Sequence, residues 1–140
     1  LQRTCWVHGD FSPKNMLVQK NGEIILIDFE VAHWGNPVFD LAYCLGHLML
    51  KAWHLKKYEE LFSLISAFLD SYKGRVLNLL PHLGLMLLAR MDGKSPVNYI
   101  QDESLKQIIR MVAINWITNT SADTNVLEAI EQQFQSIFKL

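Results

Sequence analysis

The hydrophobic period of this chain changes once. Up to residue 36 the apolar residues come in short contiguous runs with polar breaks between them: Cys5-Trp6-Val7, Met16-Leu17-Val18 and Ile24-Ile25-Leu26-Ile27. Runs of this length, bounded by Gly, Pro and Asn, read as strands. Cys5 to Val7 reads as a buried strand, and Ile24 to Ile27 as a strand buried on both faces. Lys20-Asn21-Gly22 between the last two runs reads as a tight hairpin turn, with Asn-Gly supplying the positive φ angles. His8 to Asn15 is a loop, because Gly9 and Pro13 interrupt any regular element.

From Pro37 onward the apolar residues recur every three or four positions, the period of helices. Val38 to about Lys51 follows Pro37 and is apolar on most sides, which predicts a central, buried helix. Tyr58 to Tyr72 carries a stripe of Leu61, Ile65, Phe68 and Tyr72, with Gly74 as its cap. A third helix ends near Met91, with Pro81 as a kink or restart and Gly93 as its stop. Ser104 to Ile117 opens with Ser104 and Gln107 in capping-box spacing, and Val126 to Phe138 with Asn125 and Glu128 in a similar one. The pattern predicts an α+β, mainly α chain: a small β-hairpin region followed by about five helices.

At 140 residues the chain fits one domain with a core of its own. A net charge of -1 gives no basis for nucleic acid or an anionic membrane as partner. Cys5 and Cys44 lie in apolar runs, form no spaced metal pair and are too few for a disulfide framework, which suits a reducing, cytoplasmic setting. No apolar run reaches the roughly 18 residues that span a bilayer. The chain begins at Leu1 rather than Met, and is expected to be a segment of a longer protein.

Three residues change the picture from architecture to chemistry. Asp10, Asn15 five positions later, and Asp28 beyond the hairpin form the layout that phosphoryl transfer uses. Asp10 can accept the proton of an acceptor hydroxyl. Asn15 offers an amide oxygen and Asp28 a carboxylate, both hard ligands for Mg²⁺. The hairpin returns Asp28 towards Asn15, since the two residues flank its strands. Taken singly, Asp10 is a turn residue beside Gly9, Asn15 a cap and Asp28 a solvated strand end; all three would have to coincide. His47 and His54, seven apart on one predicted helix, lack the four-residue spacing of helical metal pairs, and read as core or surface residues. Trp6, Trp34, Trp53 and Trp116 read as packing. Arg90 to Pro96 is a polar loop that either lines an acceptor pocket or ends a helix with a local Arg90–Asp92 pair; the second reading is preferred.

His8-Gly9-Asp10-Phe11-Ser12-Pro13-Lys14-Asn15 resembles the catalytic loop of the aminoglycoside phosphotransferase and choline kinase-like enzymes. Ile27-Asp28-Phe29-Glu30 resembles their metal-binding segment, and Gly35-Asn36-Pro37-Val38-Phe39-Asp40-Leu41-Ala42 the stretch that follows it. The resemblance implies the C-terminal lobe of a protein-kinase-like fold over residues 1–140. It implies Asp10 as catalytic base, Asn15 and Asp28 as Mg²⁺ ligands, ATP as donor and a small-molecule hydroxyl as acceptor. Asp40 would be a buried carboxylate at a helix start, accepting N–H groups of the catalytic loop. His8 would brace the loop. Lys14 can reach the transferring phosphate or stand in solvent. Ser12 is expected to cap the turn, and Glu30 to support the metal or face water.

A kinase-like enzyme also has an N-terminal lobe with a phosphate-covering loop and a strand lysine held by a helix glutamate. Nothing here matches these, so the nucleotide lobe is expected to lie outside this chain and the isolated segment to be a weak or inactive phosphotransferase. The alternative is a pseudokinase-type binding or scaffold module, which has no need of all three of Asp10, Asn15 and Asp28. A protein kinase is disfavoured by Gly9 where an arginine is expected, by Glu30, and by the lack of an Ala-Pro-Glu segment after Asp28.

Overall fold

Four short strands precede five helices in a computed structural model, which describes residues 4–74, 77–121 and 124–138. The strands are β1 (Cys5–Val7), β2 (Met16–Val18), β3 (Ile24–Leu26) and β4 (His33–Gly35), with one 3₁₀ turn at Pro13–Asn15. The helices are α1 (Val38–Leu55), α2 (Tyr58–Ser71), α3 (Leu79–Asp92), α4 (Glu103–Asn119) and α5 (Val126–Phe138). The mainly helical α+β class is therefore as the pattern predicts.

The strands form two antiparallel ribbons. β2 pairs with β3 in the register Leu17 to Ile25, and β1 pairs with β4 in the register Trp6 to Trp34. The pairing of β4 has no forewarning in sequence, since His33-Trp34-Gly35 is neither an apolar run nor an alternation. The β2–β3 loop spans Gln19 to Glu23, whose backbones pair at 2.8 Å, while the Gly22 N–H donates to the Gln19 carbonyl at 3.0 Å. Of Asn21 and Gly22 only Gly22 has a positive φ, +86°. The turn therefore lies where Lys20-Asn21-Gly22 predicts, but it is longer than a tight hairpin and a single left-handed residue suffices.

The strands are not buried as expected. Trp6 is 71% exposed, Val18 71% and Ile24 61%, and Ile25, Ile27 and Trp34 are exposed as well. Only Val7 of β1 is buried. A contiguous apolar run shows that both faces of a strand are apolar, not that both are covered, and a two-stranded ribbon of three-residue strands has little of its own to cover them. Trp6 and Trp34 accordingly pack edge-to-face on each other, 6.0 Å apart, at the surface, while Trp53 and Trp116 are core residues.

The core belongs to the helices. α1 is central, burying Leu41, Leu45, Met49 and Trp53 among others, and α3 packs between α1 and α4. Gly84 permits the α3–α4 approach: a Cβ there would lie 2.6 Å from the Ala113 carbonyl oxygen. α5 closes the assembly with Phe134, whose ring meets Trp53, Tyr58 and Phe62 at 5.8–6.3 Å.

The helix ends differ from the expected signals in three places. α2 stops at Ser71 with Tyr72 extended, so Gly74 is not its cap. Pro81 lies in the first turn of α3, where its missing N–H costs nothing, and marks a start rather than a kink. α4 is capped by Asp102, whose carboxylate accepts from the Ser104 and Leu105 N–H groups at 2.9 and 3.3 Å, so Ser104 is inside the helix. The Asn125 amide oxygen accepts the Glu128 N–H at 3.2 Å, as the spacing predicts.

Two substitutions test this core. Leu83→Ala removes a fully buried side chain of α3 and is expected to lower the unfolding free energy by about 2–5 kcal/mol. Gly84→Val forces α3 from α4 and is expected to cost ~1–3 kcal/mol. Urea unfolding followed by circular dichroism reads both; an unchanged midpoint for either would contradict the packing described.

Candidate active site

The loop between β1 and the 3₁₀ turn is held from below by the start of α1. Asp40, in the first turn of α1, accepts the His8 N–H on Oδ2 at 2.6 Å and the Gly9 N–H on Oδ1 at 3.0 Å. One carboxylate therefore fixes two consecutive peptide units, with a helix N-terminus to stabilise its charge. Gly9 has φ +83°, and a Cβ there would stand 2.6 Å from the Val31 carbonyl oxygen, so no other residue fits.

His8 is buried and ties the loop to the hairpin. Its Nδ1 accepts the Asp10 N–H at 3.3 Å, which leaves Nε2–H to donate to the Ile27 carbonyl at 2.9 Å. Its ring packs 4.6 Å from that of Phe29. The same hairpin is tied to the 3₁₀ turn by the Ile27 N–H, which donates to the Asn15 carbonyl at 3.1 Å. Asp28 thus follows directly on the residue bonded to Asn15. Asp28 is exposed and has φ +69°, a left-handed conformation that Asp tolerates better than most residues.

The two oxygens of Asp10 are in different states. Oδ2 accepts from Lys14 Nζ at 2.8 Å and from Asn15 Nδ2 at 2.9 Å. Oδ1 is buried and has no hydrogen-bond partner among the described residues. Burial by itself raises the Asp10 pKa, but Lys14, Tyr43 and Asn15 around it outweigh burial and hold the carboxyl at about 2. Asn15 is buried, and its Nδ2 also donates to the Asp10 carbonyl at 2.9 Å, so its Oδ1 is left for another partner.

Ser12 is the clearest departure from expectation in the loop. It is 1% exposed and its hydroxyl has no partner among the described residues, so it does not cap the turn; its backbone carbonyl instead accepts the Asn15 N–H at 2.9 Å. Glu30 is exposed in the turn that follows Asp28.

A second layer comes from α1 and α3. Tyr43, one turn after Asp40, accepts a hydrogen bond from Arg90 Nη2 and lies within electrostatic reach of Asp10. Burial, together with the Asp10 charge, pushes the Tyr43 hydroxyl up to about 12, so it remains a proton donor. His47, one further turn along, packs its ring 5.0 Å from that of Tyr43. Burial and the nearby Arg90 cation lower its pKa to about 4. Arg90 Nη1 donates to the Ser95 carbonyl at 2.8 Å. The preferred Arg90–Asp92 pair does not form, because Asp92 is taken by Arg110 at 2.7 Å across α3 and α4. Tyr43 was not singled out in sequence, although Asp40, Tyr43 and His47 share one face at spacings of three and four.

Among the described residues, no group of three or more His, Cys, Asp or Glu side chains could hold a metal. Mg²⁺ has no need of one: it usually takes one or two protein oxygens and fills its octahedron with water and phosphate oxygens. The uncommitted Asn15 Oδ1 and the exposed Asp28 carboxylate fit that demand. His54 packs on Tyr99 at 5.0 Å and shares no such cluster with His47.

The sequence profile of the phosphotransferase enzyme family (APH) matches residues 1–72 of the 140. The chain belongs to that family. No curated protein and no solved structure matches it. The matched part of this phosphotransferase family member runs from β1 through α2 and holds Asp10, Asn15, Asp28, Asp40 and Tyr43; Arg90 lies beyond it. Among the described residues no helix is long and apolar enough to cross a membrane.

The charge state of Asp10 gives a test of this geometry. Its folded pKa, about 2, lies below the unfolded 3.8, so its contribution to stability is complete above roughly pH 4 and is lost as pH falls through about 2. Between pH 5 and pH 2 the unfolding free energy of the native chain is expected to fall more steeply than that of Asp10→Asn. Parallel slopes would show that Lys14, Tyr43 and Asn15 do not hold the carboxylate.

Proposed function

We propose that this chain is the catalytic-loop and acceptor-binding lobe, of protein-kinase-like fold, of a small-molecule kinase that moves the γ-phosphoryl group of ATP to a hydroxyl. The observation that carries the reading is Asp10, with one oxygen fixed by Lys14 and Asn15 and the other buried and unpartnered. That free Oδ1 is where an acceptor hydroxyl would donate. As the hydroxyl oxygen attacks the γ-phosphorus, the bond from phosphorus to the β–γ bridging oxygen breaks. ADP leaves, and the hydroxyl proton passes to Asp10.

A carboxyl held at about 2 is a weak base, which suits a loose transition state in which orientation matters more than early proton removal. Asn15 and Asp28 would hold Mg²⁺, which supplies neutralisation of the phosphate charge when bound. Lys14, exposed and on a flexible stem, would leave Asp10 for the phosphates, which also raises the basicity of Asp10 at the moment it is needed. His8 and Asp40 act through the loop backbone.

The exposed apolar side chains of the two ribbons, Trp6 and Trp34 on one and Val18, Ile24 and Ile25 on the other, support a further element of the reading. An apolar patch of this kind marks an interface. We assign it to a nucleotide lobe of the longer protein, without which the phosphates are uncovered and the 140-residue segment transfers phosphate poorly or not at all.

Two measurements test the proposal. Full-length protein is expected to phosphorylate at least one acceptor in a screen of aminoglycosides, choline, sugars and amino alcohols with ATP and Mg²⁺. Asp10→Ala is expected to lower that rate by about 10²-fold or more. Nucleotide binding without any turnover would favour the scaffold reading instead, and clear turnover by the 140-residue segment would refute the need for a second lobe. Asp28→Gly accommodates the φ of +69° without a side chain. It is expected to fold normally and to lose Mg²⁺-dependent nucleotide binding by titration calorimetry; retained binding would remove Asp28 from the metal site.

A further inference from the structure

Between α1 and α3 lies a cleft of about 430 Å³ whose wall includes Phe39, Tyr43, His82, Arg90, Lys94 and Ser95. The volume is that of a small-metabolite site. Tyr43 stands between the cleft and the catalytic loop, since it lines the one and its hydroxyl lies within electrostatic reach of Asp10 in the other. A molecule in this cleft therefore lies against the group that stands next to the proposed catalytic carboxylate.

The charge of the cleft is one-sided. No Asp or Glu lines it, whereas Arg90 and Lys94 do. Among the described residues neither cation is paired with a carboxylate: Asp92 is bound to Arg110 and Asp10 to Lys14. Arg90 is half-buried, its two named bonds go to the neutral Tyr43 hydroxyl and the Ser95 carbonyl, and its Nε is buried without a partner. A guanidinium held in this way has lost part of its hydration without gaining a counter-charge, and an anion restores it. Each terminal nitrogen keeps one N–H beyond the bond already named, and Lys94 adds an exposed ammonium at the rim.

We propose that the α1–α3 cleft is the acceptor subsite and that the acceptor is an anionic hydroxyl compound, its carboxylate or phosphate group bound by Arg90 and Lys94 and its hydroxyl turned towards Asp10. The inference rests on the kinase reading for the hydroxyl end alone; the anion end stands on the cleft. It separates this chain from a kinase for cationic acceptors, which would need carboxylates where Arg90 and Lys94 stand.

The test uses one hydroxyl-rich scaffold in four charge states, with full-length protein: glucuronate, glucose 6-phosphate, glucose and glucosamine. Binding is measured by titration calorimetry without nucleotide, and phosphoryl transfer with ATP and Mg²⁺. At least one of the two anions is expected to bind ten-fold or more tightly than glucose and glucosamine. Which anion binds better distinguishes carboxylate from phosphate.

Lys94→Ala, at an exposed position, is expected to weaken anion binding at least five-fold and to raise KM with kcat little changed. Arg90→Gln is expected to weaken it at least ten-fold. Glucose or glucosamine binding as well as the anions, no binding of either anion, or unchanged anion affinity in Lys94→Ala would overturn the proposal. Anion binding without any transfer would support the cleft and count against the kinase. Asp10-dependent transfer to glucose or glucosamine with no preference for the anions would do the reverse.

Discussion

The Asp40 carboxylate, bonded to the His8 and Gly9 N–H groups, is the constraint on which the site depends. It joins a loop from the strand region to the first turn of the most buried helix, across more than thirty residues of sequence. Everything else in the loop is placed from there. Gly9 can turn because its backbone is held, and His8 is oriented to bond both Asp10 and Ile27. Through Ile27 the hairpin is brought in, and with it Asp28. Without the carboxylate, two buried N–H groups would lack partners and the loop would have no fixed relation to α1.

The second consequence is an asymmetry in Asp10. A carboxylate with both oxygens equally bonded would be structural, and one with neither bonded would be mobile. Here Lys14 and Asn15 hold one oxygen while the other is kept buried and free. Tyr43 extends this arrangement away from the loop. Arg90 donates to its hydroxyl, which lies within electrostatic reach of Asp10. The Asp10 carboxylate is thereby linked to a cation on α3, outside the stretch that matches the family profile. Asp28 shows the cost of such an arrangement in another form, a non-glycine residue held at positive φ.

What the sequence made legible follows from range. Asp10 and Asn15 stood out because their spacing is short and Gly9 and Pro13 fix the local backbone, whereas Asp40 came in only through the resemblance of the stretch from Gly35 to Ala42. The helices were legible because a three-to-four period over ten or more residues is hard to produce otherwise, and their interiors agree closely with α1 to α5. Their ends were less so: Asp102 and Ser104 both make good N-caps, and which one caps is decided by where the preceding segment enters. The first three strands were found and β4 was not, and their burial was misjudged, because apolar composition cannot say whether anything covers a face. Tyr43 and Arg90 are 47 residues apart, and only the packing of α3 on α1 makes them neighbours. The expected Arg90–Asp92 pair failed for the same reason, since Arg110 on α4 reaches Asp92 at 2.7 Å.

That last exchange bears on specificity. Arg110 takes both carboxylates within its reach, Asp92 and Glu103, at 2.7 and 2.6 Å. By doing so it strips the end of α3 of the negative charge that would otherwise quench Arg90. Had the local pair formed, Lys94 alone would be left uncompensated in the α1–α3 cleft. A salt bridge at the α3–α4 surface adds little to stability by itself. Its larger effect is on where positive charge is left uncompensated, which is beside Tyr43, the neighbour of Asp10.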